Sequence, residues 1–404
     1  MRQHDRAEAT TPLEHYAPVI QYDSQESFAA DSAATMTDCV PAGFPHGNLL
    51  CRKGGAMLAA TAPARGQPKL SLDLLSAEVY ADGRGVAVEP DDYLDAVGKQ
   101  YVVDARDMHA RPGYANQIYG HAVDDSGGAL WLQYWFFYYY NNKAFLFMGL
   151  HEGDWEMIQL RLGADGKPDA ATYAQHSGGE RAAWSELERD RGPAGPVPVV
   201  YSARGSHASY FRRGTYPEAP VVPDHNDAGG PRVRPQLVVV GDDSPAWAAW
   251  PGRWGSTRAE VGPIGSNSPP GPHQHGAWRD PLGFHNAAKP ARELGPTAGV
   301  ELERPPAPEI TPRREDDRAV IAYRFPSLTA DAPGPVSMVL SLDARKDGRP
   351  PPTGSWAVGT TPGEIHFPLR LQERDYTVRA SAASEDGITS ATVTAPLPAP
   401  SAAG

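Results

Sequence analysis

The run LWLQYWFFYYY, residues 130–140, has no charged residue among eleven positions and eight aromatic rings. Read as a strand, it puts Trp131, Gln133, Trp135, Phe137 and Tyr139 on one face and Leu132, Tyr134, Phe136, Tyr138 and Tyr140 on the other. Both faces are apolar, so each must be covered. The segment therefore reads as the central strand of a sandwich core, with a membrane-inserting aromatic surface as the alternative. QIYGHAV and a DDSGG turn precede it and complete a hairpin pattern.

Composition narrows the class further. Gly 41 and Pro 41 in 404 residues interrupt any long helix, which excludes a helical bundle. The 40% hydrophobic content supports real cores, and the length favours two or three domains. A net charge of −12 without a dense Lys/Arg run argues against nucleic acid as a partner. The N-terminal MRQHDRAEATTPLEHY has no apolar run of signal-peptide length, and no stretch is long and apolar enough to span a membrane. A cytoplasmic chain, or one exported by a non-classical route, is expected. Cys39 and Cys51 read as reduced thiols, with one short-loop bridge left open.

The expected fold class is mainly β: a large β-sandwich-like domain followed by a small immunoglobulin-like sandwich. Residues 1–12 form a polar tail, 13–290 the large domain, 291–312 a Pro-rich linker, 313–398 the small sandwich and 399–404 a tail. Within 318–395, Ala319, Ile321, Tyr323 and Phe325 share a face. Val336, Met338, Leu340 and Leu342 then alternate likewise, as do Tyr376, Val378 and Ala380. ERDYTVRASAASEDGITSATV resembles the late strands of a fibronectin type III or related immunoglobulin-like domain, with Tyr376 in the tyrosine position. That resemblance implies a spacer or adhesion unit.

Chemistry concentrates in GLHEGDWEMIQLRL, residues 149–162. On a strand, Asp154 and Glu156 share a face with Ile158, Leu160 and Leu162, so two carboxylates sit at the rim of a core. His151 joins them if Gly153 lets the backbone bend. An imidazole with two carboxylates suits Mg²⁺, Ca²⁺ or Mn²⁺ when water completes the shell, and Zn²⁺ when further histidines do. His176 and His207 lie near predicted strand ends and are candidates to join. The plainer alternative has these histidines satisfied structurally, and the carboxylates bonded to loop amides and to Arg204, Arg212 or Arg213. Ser206 and His207 point to opposite sides of an extended chain and no G-x-S-x-G elbow exists, which disfavours a serine hydrolase; HExxH, CxxC and phosphate-binding glycine loops are absent as well.

HYAPVIQYDSQESF, LWLQYWFFYYYNN, GLHEGDWEMIQL, AQHSGG, VVYSARGSHASYF, WPGRWGS and GPHQHGAW, in this order over residues 13–290, resemble the vacuolar protein sorting-associated protein 62 family in its bacterial branch. GLHEGDWE is also similar to the GHRHDWE heptapeptide of the necrosis- and ethylene-inducing cytolysins. The second resemblance implies a β-sandwich that holds a divalent cation at the motif and uses it to engage sphingolipid glycan headgroups on plant membranes. It assigns the first His to His151, the Asp to Asp154 and the Glu to Glu156. The motif's second His is replaced by Gly153, and its upstream Asp falls at Asn141 or Asn142. The expectation is a metal-containing binding or effector protein for a glycan or lipid headgroup, with peripheral membrane contact. Two alternatives remain: a metal-dependent hydrolase using Glu152, Glu156 or His207 to move protons, or a structural or trafficking component without metal.

Overall fold

The computed structural model describes residues 6–112, 114–143, 150–176, 178–216, 224–256, 268–291, 305–315, 318–326, 335–344, 353–358, 360–368, 376–384 and 390–398. The chain is mainly β, as expected. Its centre is a seven-stranded sheet in the order Gln236–Val239, Gln117–Asp124, Leu130–Asn141, His151–Leu162, Pro168–Gln175, Gly178–Ala183 and Lys289–Pro290. The five middle strands are antiparallel, and the two outer ones join parallel to their neighbours.

The aromatic strand is third in this order, and every side chain from Trp131 to Tyr140 is buried. A second sheet, built on Val19–Gln21 and Pro196–Ser202, covers the Tyr134 and Tyr138 face. Tyr138 Oη is hydrogen-bonded to Ser202 Oγ at 3.1 Å across the gap, and Tyr173 Oη donates to the Val199 carbonyl at 3.1 Å. Short helical turns between 246 and 287 cover the opposite face, where Trp254 meets Phe137 (5.5 Å) and Trp278 meets Trp135 (5.9 Å). One face is thus closed by a sheet and the other by a tryptophan-rich layer of helical turns. Aromatic bodies supply enough apolar area for both closures.

Two boundaries differ from the compositional reading. A helix, Arg6–His15, runs through the second half of the stretch read as a polar tail. The strand Glu309–Glu315 begins inside the stretch read as linker, because its partner Arg318–Arg324 offers a full antiparallel ladder. Residues 292–304 of that stretch lie outside the described residues.

The C-terminal strands form two antiparallel sheets. Glu309–Glu315, Arg318–Arg324 and Gly363–Pro368 make one, and Thr353–Ala357, Pro335–Ala344, Tyr376–Ser384 and Val393–Leu397 the other. Ala319, Ile321 and Ile365 pack against Met338, Leu340, Leu342, Tyr376, Val378 and Ala380, so the expected alternation does fill a core between two sheets. Tyr323 and Phe325 are half-buried, and the side chain of Val336 lies outside the described residues. Cys39 and Cys51 are free and buried, and burial pushes both thiols up to about 11. Among the described residues, no helix is long and apolar enough to cross a membrane.

Candidate functional site

The strand His151–Leu162 pairs with the aromatic strand so that Tyr138 faces Asp154 and Phe136 faces Glu156, which puts both acids on the side of the sandwich interior. Gly153 has φ +58°, and a Cβ there would lie 2.1 Å from the Trp254 carbonyl oxygen. Only glycine fits. The bend this allows brings His151 Nδ1 to 2.7 Å from the Gly153 carbonyl, where it donates, and leaves Nε2 4.0 Å from Asp154 Oδ1.

Asp154 Oδ2 accepts from Asn141 Nδ2 at 3.3 Å and from His207 Nδ1 at 2.9 Å. His207 is fully buried, stacks on Tyr138 with centroids 3.9 Å apart, and directs Nε2 toward Glu26 at 3.8 Å, an ion-pair distance. Burial alone would lower its pKa, but the bond to Asp154 and the Glu26 carboxylate raise it to about 9. Held as an imidazolium, His207 has no lone pair to act as a base. Asp154 and Glu26 are correspondingly held below the usual range: burial opposes this and the His207 bond outweighs it.

Asp224 closes the other side. It accepts from Lys143 Nζ, Ser206 Oγ, Tyr210 Oη (2.7 Å) and His176 Nε2 (2.8 Å). Burial opposes ionisation there, yet the Lys143 charge and the His176 bond hold Asp224 well below the carboxylate range, and the same bond raises His176. His176 and His207 both sit at positive φ, +53° and +59°, a conformation that costs non-glycine residues energy and collects at functional sites.

Glu156 differs from both neighbours. It is 7% exposed and makes no hydrogen bond among the described residues. Burial first, then the charges of Asp154 and Asp224, raise its pKa well above the ordinary value; Lys143 offsets this only in part. Glu156 is among the residues lining a cavity of about 440 Å³, although strand alternation turns its carboxyl to the Tyr138 face while Trp135, Trp155 and Met157 face the other way. That space exists because the Pro168–Gln175 strand pairs with its neighbour only from Ile158 onward, leaving the edge beside Glu156 and Met157 open. Trp135, Trp155, Met157 and Phe284 give it apolar walls, and His176, His275 and Asp280 give it polar ones. Ala174, Gly178, Gly276, Ala277 and Gly283 leave the room.

The structure thus brings His151, Asp154, Asn141 and His207 into one contact group, with His176 and Glu156 beside it. Asn142 bonds through its backbone N–H to the Gly205 carbonyl (3.1 Å) and adds no side-chain contact to Asp154. Arginine does not neutralise Asp154 in the described contacts: Arg204 pairs with Asp23 at 3.6 Å. Glu152 accepts from Lys99 Nζ, Tyr101 Oη, the Ala96 N–H and the Ser256 N–H, which fixes it as a structural clip. Glu26, Lys143 and Asp224 escaped sequence reasoning. Glu26 stood in DSQESF with no local pattern to mark it, and the other two have no spacing relation to HEGDWE. Among the described residues, no group of three or more His, Cys, Asp or Glu side chains is arranged to hold a metal ion.

Residues 116–220, which include the aromatic strand, Glu156, His176 and His207, match the family described as vacuolar protein sorting-associated protein 62. No curated protein matches the chain. Among solved structures, the one described as "Toxin fold as basis for microbial attack and plant defense" aligns at 12% identity and a TM-score of 0.28, covering 62% of this chain and 82% of that one. NLPPya in complex with glucosamine aligns at 15% identity and a TM-score of 0.22, covering 32% of this chain and 52% of that one. The chicken interferon gamma receptor alpha chain aligns at 13% identity and a TM-score of 0.21, over 24% of this chain and 52% of that one. For the last two, the match spans about half the length of the solved chain.

Proposed function

We propose that this chain is a binding or effector protein whose ligand is a small polar group, such as a glycan or lipid headgroup, seated in the cavity beside Glu156. The observation that carries this reading is the cavity itself, which sets aromatic walls beside the polar groups of His176, His275 and Asp280. Sugars present an apolar face to Trp135, Trp155 or Phe284 and hydroxyls to His176, His275 and Asp280. The C-terminal sandwich serves in this reading as a fibronectin type III-like spacer.

Titration of the full chain with a sugar panel that includes glucosamine and mannosamine, followed by tryptophan fluorescence, tests this. Saturable binding is expected, and Ala277→Phe should abolish it by filling the cavity while leaving the melting transition intact. Binding that survives the filled cavity would place the ligand elsewhere.

A second reading keeps the divalent cation. His151 Nε2 and Asp154 Oδ1 are 4.0 Å apart and neither has a hydrogen bond to the other, so they would be its first two donors, and Glu156 would have to turn toward them to be a third. The ion would neutralise the carboxylates and offer open positions to ligand oxygens. Elemental analysis of the purified chain, and a melting scan with Mg²⁺, Ca²⁺, Mn²⁺ and Zn²⁺, decide between the two readings.

A further inference from the structure

We propose that the arginine-rich edge of the second sheet docks the protein on a bilayer rich in anionic phospholipids. This goes beyond the cavity reading and does not depend on it.

Folding assembles this surface from three distant segments. Among the described residues, the strand Arg189–Arg191 pairs only with Pro196–Ser202, and alternation puts Arg189 and Arg191 on the same face of it. Arg232 arrives from another segment and pairs with Glu188 at 3.0 Å and Asp190 at 3.5 Å. Arg234 Nη2 donates to the Arg191 carbonyl at 2.7 Å. The Arg213 charge reaches the Tyr201 hydroxyl, which itself donates to Glu188. All five arginines are exposed. Arg232 engages both Glu188 and Asp190, and among the described residues Arg189, Arg191, Arg213 and Arg234 pair with no carboxylate. Five arginines against these two acids leave three positive charges in excess, on a chain whose net charge is −12. Screening over about 8 Å at physiological salt hides the acidic remainder from a partner at this edge.

The turn beside these charges indicates which polyanion they meet. The Gly192 N–H donates to the Gly195 carbonyl at 2.7 Å and closes a turn that exposes Pro193 and Ala194, with Pro196 exposed just after it. Arg191 leads into the turn, and Arg234 lies beside it, since a Cβ on Gly192 would meet Arg234 Nη1 at 3.5 Å. The half-buried indole of Trp184 sits under the Arg189 guanidinium, 5.8 Å from it. An uncharged tip and an indole flanked by cations suit a bilayer, where arginines meet lipid phosphates while the tip and the ring enter the headgroup layer. A nucleic-acid backbone would surround the same tip with phosphate.

Co-sedimentation of the full chain with phosphatidylcholine vesicles, with and without phosphatidylserine, tests this at low and at physiological salt. Binding is expected only with phosphatidylserine and should weaken about tenfold or more as salt is raised. Arg191→Gln combined with Arg213→Gln should weaken it about twentyfold, near fivefold for each charge. Ala194→Asp should weaken it as well, whereas Arg65→Gln, at an exposed arginine of another segment, should not. Ala277→Phe should leave vesicle binding unchanged, and a loss there would assign the lipid contact to the cavity and overturn the proposal. Equal binding to both vesicles, no binding at low salt, or wild-type binding by the double variant would overturn it too. So would capture of duplex DNA or polyglutamate by a chain that ignores vesicles. Should the double variant fail to fold, Arg213→Gln alone, about fivefold weaker, decides.

Discussion

Glu152 and Glu156 lie on the same strand, both buried at 3% and 7% exposure, and the protein treats them in opposite ways. Glu152 is met by a lysine, a tyrosine and two backbone amides, and the Lys99 charge overcomes burial to hold it below the usual range. Glu156 has no such donors: burial first, then the charges of Asp154 and Asp224, raise its pKa above the ordinary value. A buried acid with its donors in place is part of the frame. One without them is held by burial and like charge instead.

The sharpest way to break this contrast is Glu152→Ala. It strands the Lys99 ammonium and two amides, and should cost about 3–5 kcal/mol of stability in chemical denaturation. A loss below about 1 kcal/mol would make Glu152 as dispensable as an exposed acid and dissolve the comparison.

The pH dependence of stability comes next. His207 has its pKa raised from 6.5 to about 9 in the folded chain, so its contribution is complete below pH 6.5 and is lost as pH rises through 9. That loss should be about 3 kcal/mol between the two limits, taking one pKa unit as about 1.4 kcal/mol. His207→Gln should flatten denaturation midpoints across this window, and an unchanged slope would deny the imidazolium its place between Asp154 and Glu26.

Gly153→Ala is expected to cost about 2 kcal/mol or more, since φ +58° and the Trp254 carbonyl both refuse a Cβ. A melting temperature equal to wild type would show that the bend carrying His151 is not imposed by Gly153.

Glu156→Gln should have the opposite sign. A raised folded-state pKa gives stability that is complete below the unfolded value of 4.5 and lost as pH rises, so removing the acid should raise the melting temperature at neutral pH rather than lower it. A clear drop would mean that Glu156, like Glu152, has structural partners.

Much of the frame was legible locally. Strand alternation placed Asp154 and Glu156 on one face, an uncharged aromatic run demanded cover on both sides, and Gly153 between two acids marked the bend. These are properties of neighbours along the chain, which periodicity reports. The helix at Arg6–His15 and the strand starting at Glu309 were missed because tertiary partners, not composition, stabilise such short elements.

Tertiary structure alone decided the chemistry of the site. Asp154 could be read as an acid from the sequence, but its bond to His207 and the approach of Glu26 to the same ring join residues from three distant segments. Lys143 and Asp224 meet only through folding, and the gap beside Glu156 arises where one strand parts from its neighbour. Whether a carboxyl keeps its proton depends on every charge around it in space, and distance in space is what a linear sequence does not contain.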